Sequence, residues 1–232
     1  MFQINRAQYR CTFNSQVKEL SFDNALEKCK EKARSFIEKG FLLNVSFYKY
    51  ENMGFLYIES IADDSKETIT EITIAEDIMA DLIPYLKPWP EESRDLYFVP
   101  MINVYYHHIP DNSIDKWEYE RTTDTKTRVG RVAFVYPDKL PSYVMHHNAI
   151  VEEGLLKGDK YAYISMHENI LFSYYEEPRN NVNIKKTDEE SSVINSWLNA
   201  DPESHFDREK AKGSNFLVIP CLFSIDKVDL KQ

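Results

Sequence analysis

The chain has 232 residues, 43% of them hydrophobic and 28% charged, which is ordinary for a globular protein of one large or two small domains. Its formal net charge of -10 argues against a nucleic-acid partner, and its 6 glycines form no phosphate-binding loop pattern, so we expect no nucleotide cofactor. No apolar run approaches the roughly 20 residues that cross a bilayer, and the N-terminal segment lacks a secretion signal, so we expect a cytoplasmic protein without membrane contact.

The first half of the chain alternates between strand-like and helix-like patterns. A period of two predicts strands, whereas an apolar stripe with a period near 3.6 predicts a helix that ends at Gly40. The polar pair Glu51-Asn52 predicts a tight turn between two strands. In chain order, we predict a strand at 8–14, a helix at 21–40, strands at 43–48 and 54–59, a helix at 76–83 and a strand at 97–105.

The second half of the chain repeats this order. Pro141 is placed to begin a helix that runs to about Gly154, and Glu168-Asn169 predicts a turn that matches Glu51-Asn52. We predict a strand at 131–135, the helix at 141–154, strands at 160–166 and 170–176, a helix at 193–198 and a strand at 216–223.

Residue-level echoes indicate that the two halves are copies of one unit. Residues 50–59 (YENMGFLYIE) align without a gap with residues 167–176 (HENILFSYYE). Pro100 and Pro220 occupy the same place in the last strand of each half, and proline within a strand is typical of a sheet edge. We therefore predict an α+β fold, a tandem duplication of a ferredoxin-like β-α-β-β-α-β unit that forms a fused pseudo-dimer of the dimeric α/β-barrel type.

The predicted domains are a degenerate repeat at 1–109, a polar linker at 110–128 and a second repeat at 129–232 that carries the candidate site. The copies differ on the helix face that points to the sheet. The first copy has Cys29 and Ala33 where the second has Tyr143 and His147, and residues four apart share a helix face. A lone histidine on such a face is more often a core residue than a catalyst, but its tyrosine neighbour and its apolar twin favour a ligand pocket.

This stretch resembles the L-rhamnose mutarotase family. The family pattern of Pro-Asp, four residues, Tyr, three residues, His-Asn, one residue and Ile is matched by Pro137-Asp138, Tyr143, His147-Asn148 and Ile150. The resemblance extends over most of residues 130–223. It implies a ferredoxin-like unit that dimerises, in agreement with the duplication.

The resemblance implies roles for particular residues. His147 matches the proton-donating histidine, Tyr143 and Tyr161 match two sugar-binding tyrosines, and Asn148 belongs to the same motif. The family's adjacent tryptophans are replaced here by His205-Phe206, which puts the sugar in doubt. The implied reaction interconverts the α and β anomers of a monosaccharide, L-rhamnose or similar, by histidine acid/base catalysis without a metal or another cofactor. The partner is then a small-molecule substrate, and association of the pseudo-dimer into a homodimer stays open.

Three other interpretations compete with this one. A metal site is disfavoured, because His107-His108 and His146-His147 are adjacent pairs that cannot chelate alone and the three cysteines form no CxxC motif. A monooxygenase of the dimeric α/β-barrel type, with haem or without a cofactor, has its pocket in the same place. A non-catalytic sugar-binding or small-molecule-binding protein is the third possibility, since fold does not dictate function.

Overall fold

The computed structural model describes residues 2–14, 19–63, 71–90, 95–110, 113–123, 127–154, 159–178 and 191–231. The chain divides into two compact units that are not continuous in sequence. The first unit comprises 1–101, 110–125 and 220–232, and the second unit comprises 102–109 and 126–219. Among the helices that are described, none is long and apolar enough to cross a membrane.

Five helices and thirteen strands are present in the described part of the chain, with short 3₁₀ turns at 80–85, 202–205 and 227–231. The elements of the first half are β1 (Phe2–Phe13), α1 (Glu19–Glu38), β2 (Leu42–Tyr50), β3 (Met53–Asp63), α2 (Glu71–Met79), β4 (Leu86–Lys87), β5 (Trp89–Pro90), β6 (Asp95–Leu96), β7 (Val99–Pro100) and β8 (Ile102–Tyr106). Those that follow are α3 (Ile114–Thr123), β9 (Thr127–Phe134), α4 (Leu140–Glu153), β10 (Tyr163–His167), β11 (Ile170–Glu177), α5 (Ser192–Asn199), β12 (Leu217–Ile219) and β13 (Cys221–Asp226).

The first unit contains an antiparallel sheet in the order β13-β2-β3-β1-β4, with β7 also pairing with β1. Helices α1 and α2 pack on it over an apolar core that includes Cys29, Ala33, Phe47 and Leu56. Cys29 and Ala33 are completely buried, so the helix face that differs between the two copies is filled with small side chains in this unit. Burial raises the pKa of the Cys29 thiol to about 11, which keeps it protonated and unreactive.

The second unit contains an antiparallel sheet in the order β12-β9-β11-β10-β8. Helices α4 and α5 contact each other and contribute to a core with Ala133, Val135, Ile164 and Leu171. Helix α4 begins beside Pro141 and ends at Gly154, whose φ of 65° is the left-handed conformation that glycine accepts without strain. The predicted helix at 141–154 is confirmed.

The same turns, helix ends and side-chain hydrogen bond recur in both halves. Glu51 and Glu168 have φ values of 53° and 57° in the two-residue turns β2–β3 and β10–β11, and Gly40 adopts a φ of 74° after α1 as Gly154 does after α4. The phenol of Tyr57 donates to Glu59 at 2.6 Å, and the matching phenol of Tyr174 donates to Glu176 at 2.8 Å. The predicted α+β fold and the duplication of a ferredoxin-like unit are confirmed.

The last strand of each half differs from the prediction, because it is broken where the proline stands. The predicted strand at 97–105 is divided into β7 and β8, and the predicted strand at 216–223 into β12 and β13. Proline has no N–H to donate, and the chain enters another ladder next to it, although after Pro100 the N–H of Met101 still donates to the Gln8 carbonyl on β1. Strand β7 pairs with β1 but β8 pairs with β10, while β12 pairs with β9 but β13 pairs with β2. The predicted boundaries at 109 and 129 therefore differ from the compact units, since each unit receives a strand from the other half of the sequence.

The predicted linker at 110–128 also differs from the structure, because it contains helix α3 (residues 111–112 and 124–126 lie outside the described residues). Arg121 on α3 is fully buried and forms two hydrogen bonds of 2.7 Å with the carboxylate of Glu59, to which the Trp117 indole donates at 3.0 Å. Burial alone would raise the pKa of Glu59, but the Arg121 guanidinium lowers it to about 2. Helix α3 therefore contributes to the core despite its polar sequence, because its buried Arg121 is paired with Glu59.

Replacing Arg121 by methionine is expected to destabilise the protein by about 3–5 kcal/mol, because the Glu59 carboxylate would be left buried without its partner. The free energy of unfolding in urea measures the effect. Arg34→Met on the exposed side of α1 is the matched control and is expected to change stability by less than about 0.5 kcal/mol. Equal stability of the two variants would show that the Arg121–Glu59 pair does not hold α3 in place.

Candidate functional site

A cavity of about 270 Å³ lies inside the second unit, at the small end of the range for sites that bind small molecules. Its walls come from β8–β11, helices α4 and α5, and the segments before β10 and after β8 and α5. Aromatic rings form part of the lining, and aliphatic, polar and charged side chains form the rest. The residues that carry the argument below are Tyr105, Arg131, Tyr143, His147, Trp197 and Phe206.

Helix α4 brings Tyr143 and His147 to the cavity together. They are four residues apart and therefore lie one turn from each other on the same face of the helix. Their rings are stacked, with centroids 3.9 Å apart and an angle of 23° between the planes. The ring of Trp197 on α5 meets the His147 ring edge to face, with centroids 4.9 Å apart, so the imidazole is packed among aromatic neighbours.

The hydrogen bonding of His147 defines its neutral tautomer. Its Nδ1 lies 2.8 Å from the backbone carbonyl oxygen of Tyr143, and a carbonyl can only accept, so Nδ1 carries the proton. Within the described residues Nε2 makes no hydrogen bond, which leaves it as a lone-pair acceptor on a residue that lines the cavity.

The pKa of His147 is lowered from 6.5 to about 4. Burial of the imidazole is the main cause, because a charged ring loses its hydration there. The bond to the Tyr143 carbonyl opposes this effect, and the positive charge that His146 and His205 can carry adds to it. At neutral pH His147 is therefore uncharged and able to accept a proton, and it holds no proton on Nε2 to give.

Three polar atoms of the lining are buried without a hydrogen-bond partner among the described residues: the phenol oxygens of Tyr105 and Tyr143 and the amide oxygen of Asn215. Burial raises the pKa of both phenols, so each keeps its proton. A buried polar group without a partner costs about 1–3 kcal/mol. Such atoms around an internal cavity are typical of a site whose ligand supplies the missing partners.

Arg131 on β9 adds a positive charge to the lining. Its guanidinium lies between two rings, 4.6 Å from the centroid of Tyr175 and 4.8 Å from that of Phe216, and its Nη2 donates to the Ser173 hydroxyl at 3.0 Å. Cation–π contacts of this kind hold a guanidinium in place beside an aromatic surface. The lining therefore combines the Arg131 guanidinium, the carboxyl group of Asp159 and a neutral histidine.

The residues predicted from the sequence are only partly brought together. Tyr143, His147 and Phe206 line the cavity, whereas Tyr161 is buried outside its lining. Asn148 is exposed, because one residue further along a helix turns the side chain by about 100°. His205 lies behind the lining, where Nδ1 faces the carbonyl of Asp201 at 3.1 Å and Nε2 faces the Ser142 hydroxyl at 3.0 Å.

Tyr105 is the main site residue that sequence reasoning missed. It belongs to the first half of the sequence, yet β8 carries it into the sheet of the second unit. The signal that could have found it is Pro100, because a proline in the middle of an apolar stretch marks the point where a strand changes partners. Nowhere in the described ranges do three or more His, Cys, Asp or Glu side chains gather in a group that could hold a metal ion.

The fold and the site define a class: a duplicated ferredoxin-like α+β protein with a small-molecule cavity in its second unit. No family model matches the chain, and no curated protein matches it significantly, so the resemblance to L-rhamnose mutarotases rests on the motif residues alone.

Solved structures that resemble the chain include a "putative monooxygenase" from Fusobacterium nucleatum subsp. nucleatum, with 15% identity over 97% of this chain and 95% of that one and a TM-score of 0.42. Another, named the same way and from Lactobacillus acidophilus, has 6% identity over 97% of both chains and a TM-score of 0.42. Likeness at this level does not assign an activity to the chain.

Replacing Tyr143 by phenylalanine is expected to stabilise the ligand-free protein by about 1 kcal/mol, because the substitution removes a buried hydroxyl that has no partner. Urea unfolding measures the change. Tyr174→Phe in β11 is the matched control and is expected to destabilise by a similar amount, since its hydroxyl donates to Glu176. A loss of stability in the Tyr143 variant would show that its hydroxyl is already satisfied without a ligand.

Proposed function

We propose that the second unit is a small-molecule enzyme in which His147 removes a proton from a hydroxyl group of a ring-shaped substrate. The observation that carries the proposal is the unprotonated Nε2 of a neutral histidine on the wall of an aromatic cavity. Flat aromatic side chains bind the face of a ring, and the polar atoms that lack partners bind its substituents. Arg131 supplies positive charge where the substrate becomes negative.

One candidate reaction is exchange between the α and β anomers of a monosaccharide, L-rhamnose or similar. His147 takes the proton of the anomeric hydroxyl, the ring C–O bond breaks to give the open-chain aldehyde, and the imidazolium so formed returns that proton to the ring oxygen. Rotation about the bond to the carbonyl carbon and closure of the ring give the other anomer. The unsatisfied atoms of Tyr105, Tyr143 and Asn215 favour this reading, because a sugar offers several hydroxyl groups to bind.

The second candidate is oxygenation of a phenol. His147 removes the phenolic proton, the electron-rich phenolate is oxidised by O₂, and a phenol and one O₂ yield a quinone and one water. The aromatic side chains of the lining favour this reaction, because they can stack on the faces of an aromatic substrate ring. The weak basicity of His147 also favours it, because phenols are more acidic than sugar hydroxyls.

Assays of the parent protein and of His147→Gln test the proposal. We expect the parent to accelerate either anomer exchange, followed by NMR across a panel of monosaccharides, or oxygen uptake with substituted hydroquinones. The His147 variant is expected to lose at least about 100-fold of the rate, the usual contribution of a general base. His108→Gln, at an exposed position outside the cavity lining, is the control and should retain full activity. Ligand binding without acceleration of either reaction would identify a binding protein instead.

The pH dependence of kcat/KM is expected to show an acid limb near pH 4 and not near pH 6.5. His147 must be neutral to act as a base, and its lowered pKa keeps it neutral down to about pH 4. The rate is therefore present above that value and is lost as the pH falls through it. An acid limb at the ordinary histidine value would mean that the imidazole in the working enzyme is not desolvated as it is in this structure.

A further inference from the structure

We infer that the phenols of Tyr105 and Tyr143 form an anion-binding pair that holds the ionised oxygen of a phenol-type or enol-type ligand beside His147. The inference rests on the proposed function, in which a ligand hydroxyl loses its proton in this cavity. It goes further by naming the groups that receive the resulting charge and the chemical class of the ligand.

The geometry brings both phenols to the same imidazole. The ring of Tyr143 stacks on His147, and the ring of Tyr105 meets it edge to face with centroids 5.4 Å apart and an angle of 84°. Both tyrosines line the cavity, one from α4 and the other from β8. The rings of both tyrosines therefore lie against the His147 imidazole in the wall of the same cavity.

Both phenols are ready to donate. Tyr143 is 1% and Tyr105 is 6% exposed, and neither hydroxyl has a partner among the residues that the structure describes. Burial and the mutual repulsion of negative charge keep Tyr143 protonated, and burial does the same for Tyr105. A protonated phenol donates more strongly to an ionised oxygen than to a neutral one, and most strongly where water is excluded.

The weakness of the base makes such a pair necessary. A histidine whose pKa lies near 4 takes a proton from a hydroxyl only when the anion that is left behind is stabilised. Preorganised donors aimed at the developing negative charge provide this stabilisation. A ligand whose hydroxyl is already acidic, on an aromatic or conjugated ring, makes the smallest demand on the site and also fits the aromatic lining.

Binding of 4-nitrophenol tests the pair, because the absorbance of 4-nitrophenolate reports ionisation of the bound probe directly. We expect the parent protein to lower the pKa of bound 4-nitrophenol below its value in water. Tyr105→Phe and Tyr143→Phe should each weaken ionisation of the bound probe about tenfold, as expected for one charged hydrogen bond. Tyr106→Phe is the matched control, since Tyr106 follows Tyr105 on β8, points to the opposite side of the strand and does not line the cavity.

The pair is ruled out if equilibrium dialysis shows no binding of 4-nitrophenol, if the bound probe has an unchanged or raised pKa, or if both cavity variants behave like Tyr106→Phe. Its fate is separate from that of the proposed function. A His147→Gln protein that still ionises the probe but has lost turnover supports both ideas. If the His147→Gln protein retains full turnover, His147 is not the base, and the phenol pair is then judged by the probe data alone.

Discussion

The candidate site depends on one feature of the backbone: the last strand of each half changes its pairing partner next to a proline, which has no N–H to donate. Pro100 pairs with Tyr9 on β1, the N–H of Met101 still donates to the Gln8 carbonyl, and the chain then continues as β8 beside β10. This change of partner takes Tyr105 from the first half of the sequence to the cavity of the second unit. Pro220 does the same for β13, whose Asp226 approaches Arg121 at 3.3 Å in the first unit. The exchange therefore serves stability in one unit and a ligand site in the other.

The two units show what duplication allows. In the first, buried charges are fully paired around Glu59, and the helix face above the sheet holds Cys29 and Ala33 in a packed core. In the second, the Tyr174–Glu176 pair repeats the Tyr57–Glu59 pair, but the helix face carries Tyr143 and His147 beside a cavity. One scaffold thus has a copy with a packed helix face and a copy in which the same helix face borders a cavity.

Much of the fold could be predicted because it is local. The turns at Glu51 and Glu168, the left-handed glycines after α1 and α4, and the periodic helix faces all follow from neighbouring residues. The strand exchange and the buried role of α3 could not be predicted this way. Both depend on pairing between residues far apart in the sequence, and the polar composition of 110–128 gave no sign that Arg121 meets Glu59. At the site, helical spacing correctly placed Tyr143 and His147 together at the cavity but could not place Tyr161, Asn148 or His205 relative to it.

The lowered pKa of His147 restricts the possible chemistry more than the mere presence of a histidine does. A histidine with an ordinary pKa near 6.5 carries protons in both directions at neutral pH, which is what the mutarotase motif implies. Here the aromatic surroundings that form the cavity also remove water from the imidazole and lower its pKa to about 4. The same packing that creates room for a ring-shaped ligand therefore makes His147 a proton acceptor and a poor donor. The lowered pKa therefore favours proton uptake by His147 only from a group that is acidic or whose anion the lining stabilises.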